Sequence, residues 1–116
     1  AMLDISIDRK DRIAIMHIAG DFYIDSIASA ERSWNEVVAA EPRIIALDCR
    51  KLARIDSTAI GTLVKFFNMA MAKKIRLVFC DVNASIQLLF ETARLKRHFV
   101  ITSAKKFNDK YLRQIA

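Results

Sequence analysis

Short apolar runs that stop at charged residues, each followed by a longer stretch with helical spacing, constrain this chain more than any other feature. Residues 44–47 (Ile-Ile-Ala-Leu) and 77–80 (Leu-Val-Phe-Cys) are bounded by Arg43 and Asp48 and by Arg76 and Asp81. Runs this short and this continuously apolar read as central strands covered on both faces. After the first, a loop is expected as far as Ile55. A helix then starts at Ser57, with Ile60, Leu63, Val64, Phe67 and Met71 on one stripe and Lys73 and Lys74 favourably placed at its C-terminal end. After the second, Asn83 opens a helix whose Ile86, Leu89, Phe90 and Ala93 share a face.

The flanks complete the pattern. Leu3, Ile5 and Ile7 alternate with polar residues, and residues 13–18 read as the hairpin partner of that strand, closed by Gly20 and Asp21. Asp25 or Ser26 is placed to cap a helix carrying Ile27, Ala30, Trp34, Val37 and Val38 at helical spacing, and Pro42 ends it. Residues 100–102 suit a short last strand. Phe107, Tyr111, Leu112 and Ile115 mark an amphipathic C-terminal helix over residues 104–116. Strands separated by helices of this length require a mostly parallel sheet, because right-handed crossovers lay the helices over its faces. The chain of 116 residues is therefore read as one α/β domain, 1–116. It should hold a mixed, mostly parallel sheet of about four to five strands and about four helices.

Several function classes are poorly supplied. No apolar run approaches the length of a membrane span, and the first nine residues lack a basic segment followed by an apolar core. A cytoplasmic protein is expected, with no membrane insertion. Cys49 and Cys80 each close an apolar run and read as reduced core thiols. His17 sits in an apolar strand and His98 in a basic stretch, with no ligand spacing for a metal, and Gly20 and Gly61 cannot form a phosphate-cradling loop. Neither metal nor cofactor is expected, and no enzyme activity. The remote alternative is a small enzyme or phosphate-ligand binder using His17, Asp48, Asp56 and Ser57.

Residues 47–61, Leu-Asp-Cys-Arg-Lys-Leu-Ala-Arg-Ile-Asp-Ser-Thr-Ala-Ile-Gly, carry the most specific information. On local chemistry alone Asp56, Ser57 and Thr58 make an ordinary helix cap. The stretch also resembles the signature of the STAS family, typified by bacterial anti-sigma factor antagonists, in which a buried strand leads to an Asp-Ser-(Ser/Thr)-Gly-(Leu/Ile)-Gly-like motif at the next helix start. Gly20-Asp21, the Trp34 helix and the strand and helix of residues 75–93 extend the resemblance over most of the chain.

The resemblance implies a partner-binding module rather than a catalyst. Its unmodified form would engage an anti-sigma factor of the serine-kinase type, and phosphorylation at Ser57, with Thr58 the weaker candidate, would release it and so regulate transcription. A phosphatase acting on phosphorylated Ser57 would be a further partner. A constitutive STAS subunit of a signalling scaffold or lipid-transport complex is the alternative. Ala59 stands where the family usually has glycine, which removes backbone freedom beside the phosphoacceptor. Asp21, Asp25 and Asp56 are expected around the site, in positions to orient the hydroxyl or repel a phosphate. If Ile60, Leu63, Val64 and Phe67 point inward, Thr58, Thr62 and Met69 face outward with Phe66 at the edge, an apolar patch for the partner.

Charge adds one more observation. Residues 1–93 carry twelve basic and twelve acidic side chains, so the whole excess of six lies in residues 94–116, where seven basic residues meet only Asp109. This local basicity reads as a solvated helical face or a contact for an acidic surface, and no direct nucleic-acid binding is expected.

Overall fold

In the computed structural model, which describes residues 2–113, the chain opens on an antiparallel hairpin of β1 (Asp4–Lys10) and β2 (Ile13–Phe22). A single turn of 3-10 helix (Ile24–Ser26) leads into α1 (Ile27–Ala39). There follow β3 (Ile44–Ile55), α2 (Ser57–Ala72), β4 (Arg76–Cys80), α3 (Ala84–Thr92) and β5 (Val100–Thr102). A short helix α4 (Ala104–Phe107) continues as one π-helical turn (Asn108–Leu112). Ile115, expected on the C-terminal apolar face, lies outside the described residues.

The strands lie in the order β1-β2-β3-β4-β5, with β2 to β5 parallel. Because each parallel step advances one place by a right-handed crossover, α1, α2 and α3 all cover the same face. On that face Met16, Phe22, Leu47, Ile55 and Phe79 from the sheet pack with Trp34, Leu63, Phe66, Ile86 and Phe90 from the helices. Among the described residues only the C-terminal segment covers the opposite face, where Phe107 lies over Ile13, Ala46, Val78 and Cys80. Cys49 and Cys80 are free and buried, in the two different clusters on opposite sides of the sheet. The expected mixed sheet and α/β class are what the chain forms.

Three local expectations change. The loop placed after Asp48 is strand: β3 continues to Ile55, and two register shifts against β2 let Cys49, Leu52 and Ile55 recur every third residue on the buried side. Bulges of this kind remove the period-two signal by which a strand is recognised. Gly20, at φ 97, lies inside β2 at one of these shifts instead of closing it. At the start of α1, Ser26 occupies the cap position without a side-chain cap bond, and Asp25 is in the 3-10 turn before it.

Candidate functional site

The crevice beyond the C-terminal ends of parallel strands is where an open α/β sheet collects its functional side chains. Here the last residue of β3 is followed at once by Asp56 and the start of α2. Both oxygens of the Asp56 carboxylate accept backbone N–H groups: Oδ1 from Ala59 at 2.8 Å, capping α2, and Oδ2 from Ile24 at 2.9 Å, in the 3-10 turn. Its own amide donates to the Phe22 carbonyl at 3.3 Å. One aspartate thus ties the first turn of α2 to the connection leaving β2.

Ser57 is the first residue of α2 and is exposed, as is Thr58 beside it. A helix start leaves its first amides without intrahelical partners. Asp56 takes that of Ala59, and among the described residues the amides of Ser57 and Thr58 have no acceptor. The geometry presents a hydroxyl, two free N–H groups and the positive end of a sixteen-residue helix to solvent. Ala59 is fully buried with ordinary helical backbone, so alanine meets no conformational barrier there. Asp21 lies half-buried in β2 opposite Arg54 of β3, and Asp25 is exposed in the turn that Asp56 anchors.

The expected partner patch is only partly at the surface. Phe66 is 3% exposed and stacks on Trp34, ring centroids 4.4 Å apart, and Thr62 is 7% exposed with its hydroxyl donating to the Thr58 carbonyl. The inward stripe is Ala59, Thr62, Leu63, Phe66 and Ala70, one position away from the stripe inferred from bulky residues. Ile60, Val64 and Phe67, assigned to the inside, are only half-buried. Of the four patch residues, Thr58 is exposed and Met69 half-buried.

The outward strip runs through Thr58, Gly61, Lys65 and Asn68, and Lys65 pairs with Glu31 of α1 at 2.6 Å. A shallow groove of about 480 Å³ follows it between Gly61 and Met69. Ile24, 67% exposed with its amide bonded to Asp56, adds an apolar side chain in the turn that this aspartate anchors. Gly61, Lys65, Asn68 and Ile24 were missed in the sequence. Counting alanine and threonine as core residues would have revealed the first three.

The residues proposed for a small enzyme are not brought together. His17 and Asp48 face each other across β2 and β3, with Nδ1 2.6 Å from Asp48 Oδ2, while Nε2 is 2.7 Å from Asp8 Oδ2. Asp56 and Ser57 lie beyond the far end of β3, roughly 25 Å along the strand at about 3.3 Å per residue. Burial alone would lower the His17 pKa, but the hydrogen bonds and charges of Asp48 and Asp8 outweigh it and hold it above the usual histidine value. Asp48 likewise resists the upward push of its burial: the bonds from His17 and the Arg50 amide bring it below the ordinary carboxylate value. Cys80, buried and near Asp48 and Asp81, is pushed up to about 12 and stays a thiol. Among the described residues no group of His, Cys, Asp or Glu has the arrangement to hold a metal ion.

The family model of the STAS domain matches residues 4–110. Among solved structures, an anti-sigma factor antagonist from Mycobacterium paratuberculosis superposes with a TM-score of 0.79 at 13% identity, covering 98% of this chain and 94% of that one. The Bacillus cell fate determinant SpoIIAA in its phosphorylated form gives 0.72 at 10% identity, with 92% and 98% covered. A sulfate transporter family protein from Wolinella succinogenes gives 0.70 at 18% identity, with 84% and 82% covered. At these identities the likeness is one of fold. No curated protein sequence matches the chain.

Proposed function

This chain belongs to the STAS domain family, and from that premise we propose that it is an anti-sigma factor antagonist switched by phosphorylation at Ser57. The unmodified form binds an anti-sigma factor of the serine-kinase type. Phosphate transfer to Ser57 ends the complex and a phosphatase restores it, so that transcription follows the balance of the two. The observation that carries this reading is the placement of Ser57: an exposed hydroxyl at the first position of α2, held in register by both oxygens of Asp56. The kinase supplies ATP and Mg²⁺, and this chain is its substrate in the cytoplasm. Thr58, the next residue in the same turn, is the secondary acceptor.

The docking surface in this reading is Ile24, Thr58, the groove beside Gly61 and Met69, and Asn68. A phosphate of about −1.5 to −2 charge on Ser57 is favoured by the free amides of the helix start but opposed by the nearby carboxylates of Asp25 and Asp56. Its main effect is on the partner, because a surface complementary to a neutral hydroxyl loses affinity when a hydrated dianion replaces it.

The test is intact-mass analysis with site mapping of the protein purified from its native cell across growth and stress conditions. One added phosphate located on Ser57 is expected, and it should vanish in Ser57→Ala. An unmodified chain under every condition would overturn the switch. It would leave the second reading, a constitutive STAS subunit of a larger assembly, which the transporter-family neighbour favours.

A further inference from the structure

The opposite pole of the sheet, where the parallel strands begin, collects cations that are scattered through the sequence. Arg12 comes from the β1–β2 turn, Arg43 from the entry to β3, Lys73 and Lys74 from the end of α2, Arg76 from the start of β4, and Arg97 from the approach to β5. Among the described residues none of these six forms an ion pair. Arg12 donates to the Glu41 main-chain carbonyl at 3.0 Å, and the acidic residues of this pole, Asp11 and Glu41, lie on its Arg12 side.

Within this pole lies a cavity of about 500 Å³ between the C-terminal end of α2 and the strands β4 and β5. Its floor is apolar, formed chiefly by Phe67, Met71, Leu77 and Val100. Its rim carries Lys74, Arg76, Arg97 and His98, and among the described residues no carboxylate lines it. Met71 is 65% and Val100 42% exposed, so the floor is open to water.

We propose that this cavity binds a small amphipathic anion, an acid or phosphate monoester with an alkyl or aryl body. The volume lies in the range of small-molecule sites. Three permanent cations on one rim repel one another, and an anionic head group removes that repulsion while offering the two guanidinium groups the paired acceptors they bind best. The body of the ligand covers the floor, and each methylene buried there adds to the affinity. An extended polyanion would use the charges and leave the floor wet, whereas a neutral lipid would leave the rim unpaired. The site is at the far end of the sheet from Ser57 and does not depend on phosphorylation there.

The experiment is an amide-resolved NMR titration with decyl phosphate below its micelle concentration, beside decanol, inorganic phosphate, a polyglutamate peptide and phosphatidylglycerol vesicles. Saturable shifts centred on Met71, Arg97, His98 and Val100 are expected for decyl phosphate. Arg97→Glu and Arg76→Glu should each weaken binding by about tenfold or more, with melting temperatures near wild type to show that the variants fold. Val100→Asp should abolish binding by wetting the floor, and decanol and inorganic phosphate should each bind at least about tenfold more weakly. No shifts at these residues, wild-type affinity in both charge-reversal variants, or binding confined to polyglutamate or to vesicles would overturn the assignment.

Discussion

Asp56 spends both carboxylate oxygens on backbone amides from two different connections, so its removal should be felt at both. Loss of an N-cap aspartate costs about 1–2 kcal/mol, and Asp56→Ala is expected to lower stability by that amount in denaturant unfolding. Hydrogen exchange at the Ile24 and Ala59 amides should accelerate together. On the other face of the sheet, His17 has a carboxylate on each ring nitrogen, which suits the imidazolium, the form in which both nitrogens donate. Its folded pKa is raised, so its contribution is complete below the ordinary value of 6.5 and is lost as pH rises through the folded value. Asp48 is lowered, so its contribution is present above 3.8 and is lost as pH falls through its folded value. The cluster is therefore strongest between these two ordinary values, and His17→Gln should flatten the decline in stability on the alkaline side. Because His17 is 37% and Asp8 75% exposed, the effect should stay below about 1 kcal/mol. The Asp56 cap and the exposed place of Ser57 at the start of α2 were legible in the sequence because both are set by local residues. The Asp8–His17–Asp48 cluster was not, since it needs the register of three strands.

At the level of elements, α2 shows where periodicity misleads. Its inward face is built on Ala59, Thr62 and Ala70 as much as on Leu63 and Phe66, and a stripe chosen by bulk turns the helix by about one residue, 100°. The same rotation leaves Gly61 outside, where an added Cβ would have nothing within 4 Å. Gly61→Ala should therefore raise stability by about 0.5–1 kcal/mol, the usual gain for an exposed helical glycine. In the proposed interface it should also weaken partner binding by filling the groove, so that stability and affinity move in opposite directions. β3 was only half legible, because its bulges replace alternation with a three-residue spacing, although the runs that start β3 and β4 were clear. The C-terminal segment folds as a short helix and a π-helical turn whose Phe107 is 3% exposed over Cys80. Phe107→Ala should cost about 3–5 kcal/mol. It should also make Cys80 reactive toward a thiol reagent before Cys49, whose cover is α1 to α3.

Across the whole molecule, a strand order that never doubles back puts three helices on one face and separates two poles. One pole carries Ser57, Asp56 and the turn they share; the other gathers cations from four connections. Composition along the chain hid the second pole, since the first 93 residues are neutral in sum and only folding sorts their charges by end. The STAS assignment was legible because its motif lies within fifteen consecutive residues and the helix and strand order is carried by local patterns. The central claim is that phosphate on Ser57 decides whether this surface is occupied. The measurement that tests it most directly is calorimetric titration of a serine-kinase anti-sigma factor from the source organism, loaded with ADP, with unmodified protein and with protein carrying phosphoserine at position 57. Saturable one-site binding of the unmodified form is expected, with a loss of about tenfold or more on phosphorylation. Equal affinity of the two forms would contradict it.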